Sequence, residues 1–403
     1  MQADITTPIS VTEKWRQHFT VALPAAKPGC IWIHACSVGE VASVAPLIMA
    51  LLAQGHVAHL TVVTATGFAH ARRLLGTRLG ISFLPWDLPG VMSRFVARLQ
   101  PVLLLLTETE FWPGMLAACQ RSGIPVVGVN TRISDRSFPR YKASRWLWRR
   151  WLKPVSLFLA QSDTDAGRLV AIGVPVANVK ACGNLKYAIT APVVDSGRLR
   201  KQADTTGRRP ILLIASTHPG EDERILKLWE PWRAACPDLL MLIVPRHPER
   251  FNRVAELILA RGYSLSRWSD GPLQSSAADV VLVDAMGMLA GLYCIADIVV
   301  IAGSLESVGG HNPLEAAVCG RGVLTGPHIQ NFRQIMAEME RANAAIVVRD
   351  DVDMEAAITR LLHHPEELKR LHASAAQFMQ DKGHALEHML AAIKPYLPET
   401  GHE

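Results

Sequence analysis

Ligands of open α/β sheets sit beyond the carboxyl ends of the strands, so polar residues placed there are the first candidates for chemistry. This chain puts them there repeatedly. The apolar run Cys30-Ile-Trp-Ile-His-Ala35 is followed by Ser37-Val-Gly-Glu40, and Glu40 opens a helix with no other charged residue in its first turns. Ser37 is available as the cap, which leaves Glu40 to take a proton from an acceptor hydroxyl. Serving only as a dipole partner at the helix N-terminus is its structural alternative. A second run, Val102 to Leu106, leads into Thr107-Glu-Thr-Glu110-Phe-Trp-Pro113. Carboxylates are rarely buried unpaired, so Glu108 and Glu110 are either reactive groups or halves of a salt bridge. Strand alternation would put both on one side, and only one need face a reaction. Gly183-Asn-Leu-Lys186 adds a cation suited to a carboxylate substrate or to developing phosphate charge, although a lysine at a strand end is commonly just solvated.

The second half repeats the pattern. Ala215-Ser216-Thr217-His218-Pro-Gly-Glu221 follows a strand and starts a helix, as a phosphate-binding turn does. After the next strand comes Pro245-Arg246, whose guanidinium fork matches a phosphate. In Met286-Gly287-Met288 the glycine leaves backbone groups open to a nucleobase edge. The longest such stretch is Ile298 to Val318, where a β-branched run breaks at Gly303-Ser304 and turns at Gly309-Gly310. Asn312 then reads as N-cap, Pro313 as the first helical residue, and Leu314 and Glu315 as the first turn. Free N–H groups and the helix dipole favour an anion there, and Glu315 can accept from a ribose diol. On this stretch alone, a nucleotide-sugar site and an ordinary capped βα unit both fit.

Metal and redox chemistry find little support. The seven cysteines are scattered and never spaced C-x-x-C, and H-E-x-x-H is absent. Asp163-Thr-Asp165 resembles a metal-binding D-x-D, but Ser162 as N-cap with two acids in the first turn accounts for it. We expect no metal and no cofactor. Net charge of +6 fits an anionic partner. Lys142 to Val155 reads as a helix with Leu147, Trp148, Trp151, Leu152 and Val155 on one face and Lys142, Trp146, Arg149 and Lys153 on the other. Core packing with a solvated basic face explains it, and a phospholipid surface would suit it too.

The elements that must position these groups alternate regularly. Apolar strands and helices succeed one another to Cys182, and residues 191–209 then lose large apolar groups and read as a linker. The alternation restarts at Ile211, and Met354 to Tyr396 is largely helical. At 403 residues, two domains are expected: an N-terminal acceptor-binding domain over 1–190 and a C-terminal nucleotide-sugar domain over 210–403, whose last helix can cross back. The expected fold class is α/β, two doubly wound Rossmann-like domains facing a cleft, as in B-type glycosyltransferases. Epimerases and periplasmic-type binding proteins share that outline, so fold alone does not choose a function.

Taken in order, the strand ends resemble those of the Kdo transferase family, which moves 3-deoxy-D-manno-oct-2-ulosonic acid from CMP-Kdo to lipid A precursors. The matching stretches are Trp32 to Glu40, Glu108 to Pro113, Asn130 to Ser134, Gly183 to Lys186, Ala215 to His218, Val244 to Phe251, Gly309 to Glu315 and Gly326 to His328. The resemblance implies a metal-independent transferase working with inversion, in which Glu40 is the general base and Glu110 and Lys186 stabilise the transition state. CMP is then expected against Ser216, Thr217, Pro245, Arg246, Met286, Gly287, Met288, Asn312, Pro313, Leu314 and Glu315. A B-type transferase using another nucleotide sugar, or an inactive nucleotide-sugar-binding protein, are the competing readings.

Two departures stand out. Met288 occupies a position where the family usually has glutamate, which removes a carboxylate beside the nucleotide and leaves main-chain contacts. Gln2 to Phe19 is short and polar where the family carries a membrane anchor, so the anchor is expected to be absent or trimmed. Attachment to the cytoplasmic side of the inner membrane would then rest on basic and aromatic patches. No nucleic-acid partner is expected, and the sequence does not set the oligomeric state.

Overall fold

In the computed structural model, which describes residues 11–21, 28–271 and 278–398, the chain forms two units. The first runs to Ala188 and takes in the chain from Lys382; the second is Ile189–Asp381. The first unit is built on β1 (Ile31–His34), β2 (Ala58–Val62), β3 (Gly80–Phe83), β4 (Leu103–Thr107), β5 (Val126–Thr131), β6 (Val155–Ala160) and β7 (Val179–Ala181). They form one parallel sheet in the order β3-β2-β1-β4-β5-β6-β7. Because both faces are covered, the central strands β1, β2, β4 and β5 are buried at every position rather than alternating. Ile31 and Ile33 of β1 pack with Leu103 and Leu105 of β4 on one face, while Trp32, Leu104 and Leu106 pack on the other. The helix Val38–Ala53 closes the first face with Val41, Val44, Leu47, Ile48 and Leu51, a helical spacing. Met389 and Ile393 of the chain's last helix, Ala385–Ile393, join the same core.

The second unit holds β8 (Ile211–Thr217), β9 (Leu240–Pro245), β10 (Leu265–Arg267), β11 (Val280–Leu282), β12 (Ile298–Ile301), β13 (Val323–Thr325) and β14 (Ala345–Val347). Their order is β10-β11-β9-β8-β12-β13-β14, again parallel. In each sheet the winding direction reverses once, between β1 and β4 and between β8 and β12. At such a reversal neighbouring loops leave in opposite directions and open a crevice at the strands' carboxyl ends. Glu40 and Glu110 follow β1 and β4; Ser216 lies at the end of β8, and Gly303 follows β12.

Several expectations change. The edge strands β10 and β14, of three residues each, lie outside the strands expected from the sequence. Residues 191–209 are not a bare linker. They carry the helix Ser196–Ala203, whose Arg200 donates to the Ile295 and Arg209 carbonyls and pairs with Asp297 at 3.0 Å. The polar composition there serves specific bonds within the second unit. The helix expected over 142–155 breaks at Ser144 into Phe138–Ala143 and Arg145–Trp151, and Val155 begins β6. Its two faces still separate, with Leu152 buried and Trp146 72% exposed. Among the described residues no helix is long and apolar enough to cross a membrane.

Candidate active site

At the first reversal the chain gathers a thiol and two carboxylates. One possible ligand atom from each of Cys36, Glu40 and Glu110 lies within 4.8 Å of the others. Glu40 is the third residue of its helix. Its Oε2 accepts from the Cys36 backbone N–H at 2.6 Å, and Oε1 accepts from the Ser37 hydroxyl at 3.4 Å. Ser37 does not cap the helix, because its hydroxyl is spent on this carboxylate. Burial pushes the Glu40 carboxyl from 4.5 up to about 7; the Cys36 N–H draws it down, and the charges of Glu110 and Glu108 raise it. For Glu110, burial also opposes ionisation. His34 and the Trp112 Nε1–H, which donates to Oε2 at 2.9 Å, outweigh it and hold that carboxyl below its ordinary range. His34 Nε2 stands 3.7 Å from Glu110 Oε2. Two adjacent carboxyls are thus driven apart, one toward neutral pH and one toward permanent charge. Burial and both carboxylates push the Cys36 thiol up to about 12.

Glu108 does not follow the expected alternation. β4 ends at Thr107, and Glu108 takes a left-handed backbone, φ 54°, which turns it away from the strand's pleat. Burial raises its carboxyl above the usual value, while the charges of Lys186 and Arg132 pull it back. Lys186 is exposed, on a short turn anchored by Asn130. Asn130 is fully buried with φ 52°; its Oδ1 accepts from Leu185 N–H at 3.0 Å and its Nδ2 donates to Ser43 Oγ at 2.8 Å. Left-handed non-glycine residues cost of order 1–3 kcal/mol and persist where surrounding bonds over-determine them. Here two of them sit at the carboxyl ends of neighbouring strands of one sheet, Glu108 just past β4 and Asn130 within β5.

At the second reversal the structure revises the expected anion loop. The N–H groups of Gly303, Ser304 and Leu305 point at one anion, but it is the chain's own: Glu221, fully buried, accepts all three at 2.7, 3.0 and 2.9 Å. The helix at Asn312 is a single turn, Leu314–Ala317, so its dipole is slight. Asn312 does supply the turn's start, its Oδ1 accepting from Leu314 N–H at 3.2 Å. Pro313 and Leu314 are buried, which leaves Asn312 and Glu315 as the side chains within a ligand's reach. Thr217 is also buried, its hydroxyl donating to Asp222 at 2.6 Å, so it stands behind the site. Ser216 holds φ 63° at the end of β8.

Around these lie Pro245, Arg246 and the turn Met286-Gly287-Met288. Arg246 is exposed, and its charge draws down the Glu315 carboxyl, which burial otherwise raises. Met286 and Gly287 are exposed, with Gly287 at φ 81°, so the backbone of that turn is open. The structure adds a histidine group for which the sequence suggested no role. His218 and His311 meet Nε2 to Nε2 at 2.9 Å, and His247 packs edge-on to His218 at a centroid distance of 5.4 Å. Burial lowers His311 to about 4, with His218, Arg246 and His247 adding to the effect, so the pair shares an N–H as neutral rings. Gly303 makes room for them, since a Cβ there would sit 2.8 Å from the His311 ring.

His34, Trp112, Asn130 and Arg132 were legible only as members of motifs. Their one signal was position, at the end of a strand or just past it.

Comparison with known structures places this arrangement in a class. A glycosyltransferase from Rickettsia africae matches 93% of this chain and 100% of its own, with 14% identity and a TM-score of 0.52. A putative UDP-N-acetylglucosamine 2-epimerase from Listeria monocytogenes matches 93% and 98%, with 13% identity and a TM-score of 0.54. At such identities the likeness defines the fold: two Rossmann-like domains of the B-type glycosyltransferase kind. Sequence narrows it further. A family model for 3-deoxy-D-manno-octulosonic-acid transferase (kdotransferase) matches residues 13–189. The 3-deoxy-D-manno-octulosonic acid transferase of Haemophilus influenzae is 37% identical over 381 residues, covering 92% of this chain and 88% of its own. The transferase of the same name from Bordetella pertussis is 34% identical over 386 residues, covering 93% and 89%. The chain belongs to the 3-deoxy-D-manno-octulosonic acid (Kdo) transferase family and is a glycosyltransferase.

Proposed function

We propose that this transferase moves Kdo from CMP-Kdo to a lipid A precursor with inversion at the anomeric carbon. The observation that carries the reading is the pair Glu40 and Glu110, one carboxyl near neutrality beside one kept charged. A general base works best with its pKa near ambient pH, and Glu40 meets that condition. It takes the proton of the acceptor hydroxyl as the oxygen attacks the anomeric carbon. The bond from that carbon to the phosphate oxygen breaks, and CMP leaves with the electron pair. Departure from a quaternary carbon builds positive charge on the sugar, which the Glu110 carboxylate opposes. Lys186 and Arg132, whose charges already act on Glu108, suit Kdo's own carboxylate.

On the donor side, Arg246 faces the phosphate, Asn312 and Glu315 the ribose, and the open turn Met286 to Met288 the base, with Ser216 and Pro245 shaping the pocket. Met288 contributes backbone rather than charge. The exposed Trp146, with Arg145, Arg149, Arg150 and Lys153, supports peripheral attachment to the cytoplasmic face of the inner membrane. The test is mass spectrometry of the product formed from CMP-Kdo and a tetra-acylated lipid A precursor, with its anomeric configuration read by NMR. A retained configuration, or tighter binding of UDP than of CMP, sinks the reading.

A further inference from the structure

The first unit contains an apolar cavity of about 470 Å³ that no step of the reaction uses. Trp15, Val63, Leu84, Pro85, Trp86 and Trp112 form its walls. Its polar members are largely committed elsewhere. Asp87 accepts the Gly114 and Met115 N–H groups at 2.8 and 2.7 Å, capping the helix Pro113–Arg121. His18 Nδ1 is bonded to the Leu84 carbonyl at 2.8 Å. The interior therefore offers a ligand hydrocarbon contact and almost no hydrogen bonding, which suits neither a sugar nor a nucleotide. Among the described residues a single cation, Lys14, lines it, with Nζ 5.0 Å over the Phe83 ring.

The position of the cavity decides what it is for. Trp112 is a wall of the cavity and, through Nε1, the donor to Glu110. Val63, a second wall, is tied by its N–H to the carbonyl of Cys36 at 3.3 Å, one residue from Ser37, which donates to Glu40. The cavity and the carboxylate pair thus share a partition. At its rim Trp15 and Trp86 are 52% and 49% exposed, a large apolar surface for a soluble ligand to leave uncovered.

We propose that this cavity is an acyl subsite, holding one fatty chain of the acceptor while its sugar hydroxyl stands at Glu40, with Lys14 suited to the acceptor's anionic head. The proposal rests on the function given above, in which the acceptor is an acylated, anionic glycolipid. It makes chain binding part of acceptor positioning rather than of general attachment to a membrane.

Two readouts test it on the full chain. The first is binding of cis-parinaric acid, a fluorescent fatty acid excited by neighbouring tryptophan, to wild type, Val63→Phe and Trp86→Asp. Trp86 is half exposed, so its replacement leaves the fold intact if the change at half-buried Val63 does not. The second is the rate of Kdo transfer to the acylated precursor and to the same precursor stripped of its chains. We expect saturable probe binding that the acylated precursor displaces and both variants weaken at least tenfold. Apparent KM for the acylated precursor should rise by a similar factor, with the rate on the stripped precursor unchanged. Absent or unaltered probe binding overturns the subsite. Displacement by a plain phospholipid as effective as by the precursor also overturns it, and makes the cavity a membrane contact. A wild type that binds the probe but transfers Kdo to neither precursor overturns the function itself, and the acceptor assignment with it.

Discussion

Replacing Glu40 with glutamine isolates the proposed base. The amide oxygen can still accept the Cys36 N–H that now meets the carboxylate at 2.6 Å, so the helix start is preserved while basicity is lost. A positioned general base contributes about 10²–10⁴-fold, and kcat should fall within that range. In the wild type the acid limb of kcat/KM should bend near pH 7, where burial has placed this carboxyl, and fall about tenfold per unit below it. Stability supplies an independent check. The carboxyl titrates at about 7 in the native chain and near 4.5 when unfolded, so between these values only the native state binds the proton. Stability then declines as pH rises through that window and is lowest above it. Glutamine has no proton to lose. Glu40→Gln should therefore melt higher than wild type above pH 7, and the gap should close toward 4.5. Glu110→Gln removes a charge that raises Glu40, so it should move the acid limb to lower pH besides slowing transfer. The assays are initial rates of CMP release across pH and thermal melts of the same proteins. A Glu40→Gln enzyme with near wild-type rate, or one that melts below wild type in alkaline buffer, would refute the reasoning.

Other perturbations probe the supports. Asp222 is fully buried and paired with Arg250, itself 13% exposed, and removing one partner strands a charge; Asp222→Ala should cost about 3–5 kcal/mol in urea unfolding. Asn130→Ala strands the Leu185 N–H and the Ser43 hydroxyl at about 1–3 kcal/mol each, and kcat should drop with donor KM unchanged because the Lys186 turn loosens. Transfer should proceed undiminished in EDTA; a loss restored by a divalent cation would turn the Cys36, Glu40 and Glu110 cluster into a metal site. The sulfurs of Cys294 and Cys319 lie 2.8 Å apart, so diamide should remove two reagent-accessible thiols from wild type and leave that of Cys319 in Cys294→Ser.

Much of the first carboxylate site was legible in order along the chain. Glu40, Glu110 and Lys186 each follow a strand, which made them candidates; the choice of Glu110 over Glu108, and of Lys186 at all, rested on the family resemblance. The second site was read less well, because a motif names residue types and not which way they face. Ile298 to Val318 read as an anion-binding loop, and nothing local told that its first free N–H groups, from Gly303 on, are taken by Glu221, 82 residues earlier in the chain. Thr217 and Leu314 lie inside their motifs and also inside the core. Some elements failed for a different reason: β10, Leu265–Arg267, is not an apolar run, and the helix in 191–209 is held by bonds from Arg200 that no local pattern announces.

What the sequence determined by itself is the architecture and the family, since apolar periodicity and the order of motifs are local properties that survive without coordinates. What only the tertiary structure decided is which groups share an environment. Glu40 and Glu110 are ordinary carboxylates seventy residues apart until folding buries them together. Their pKa values then separate, because desolvation and neighbouring charge act through space and not along the chain.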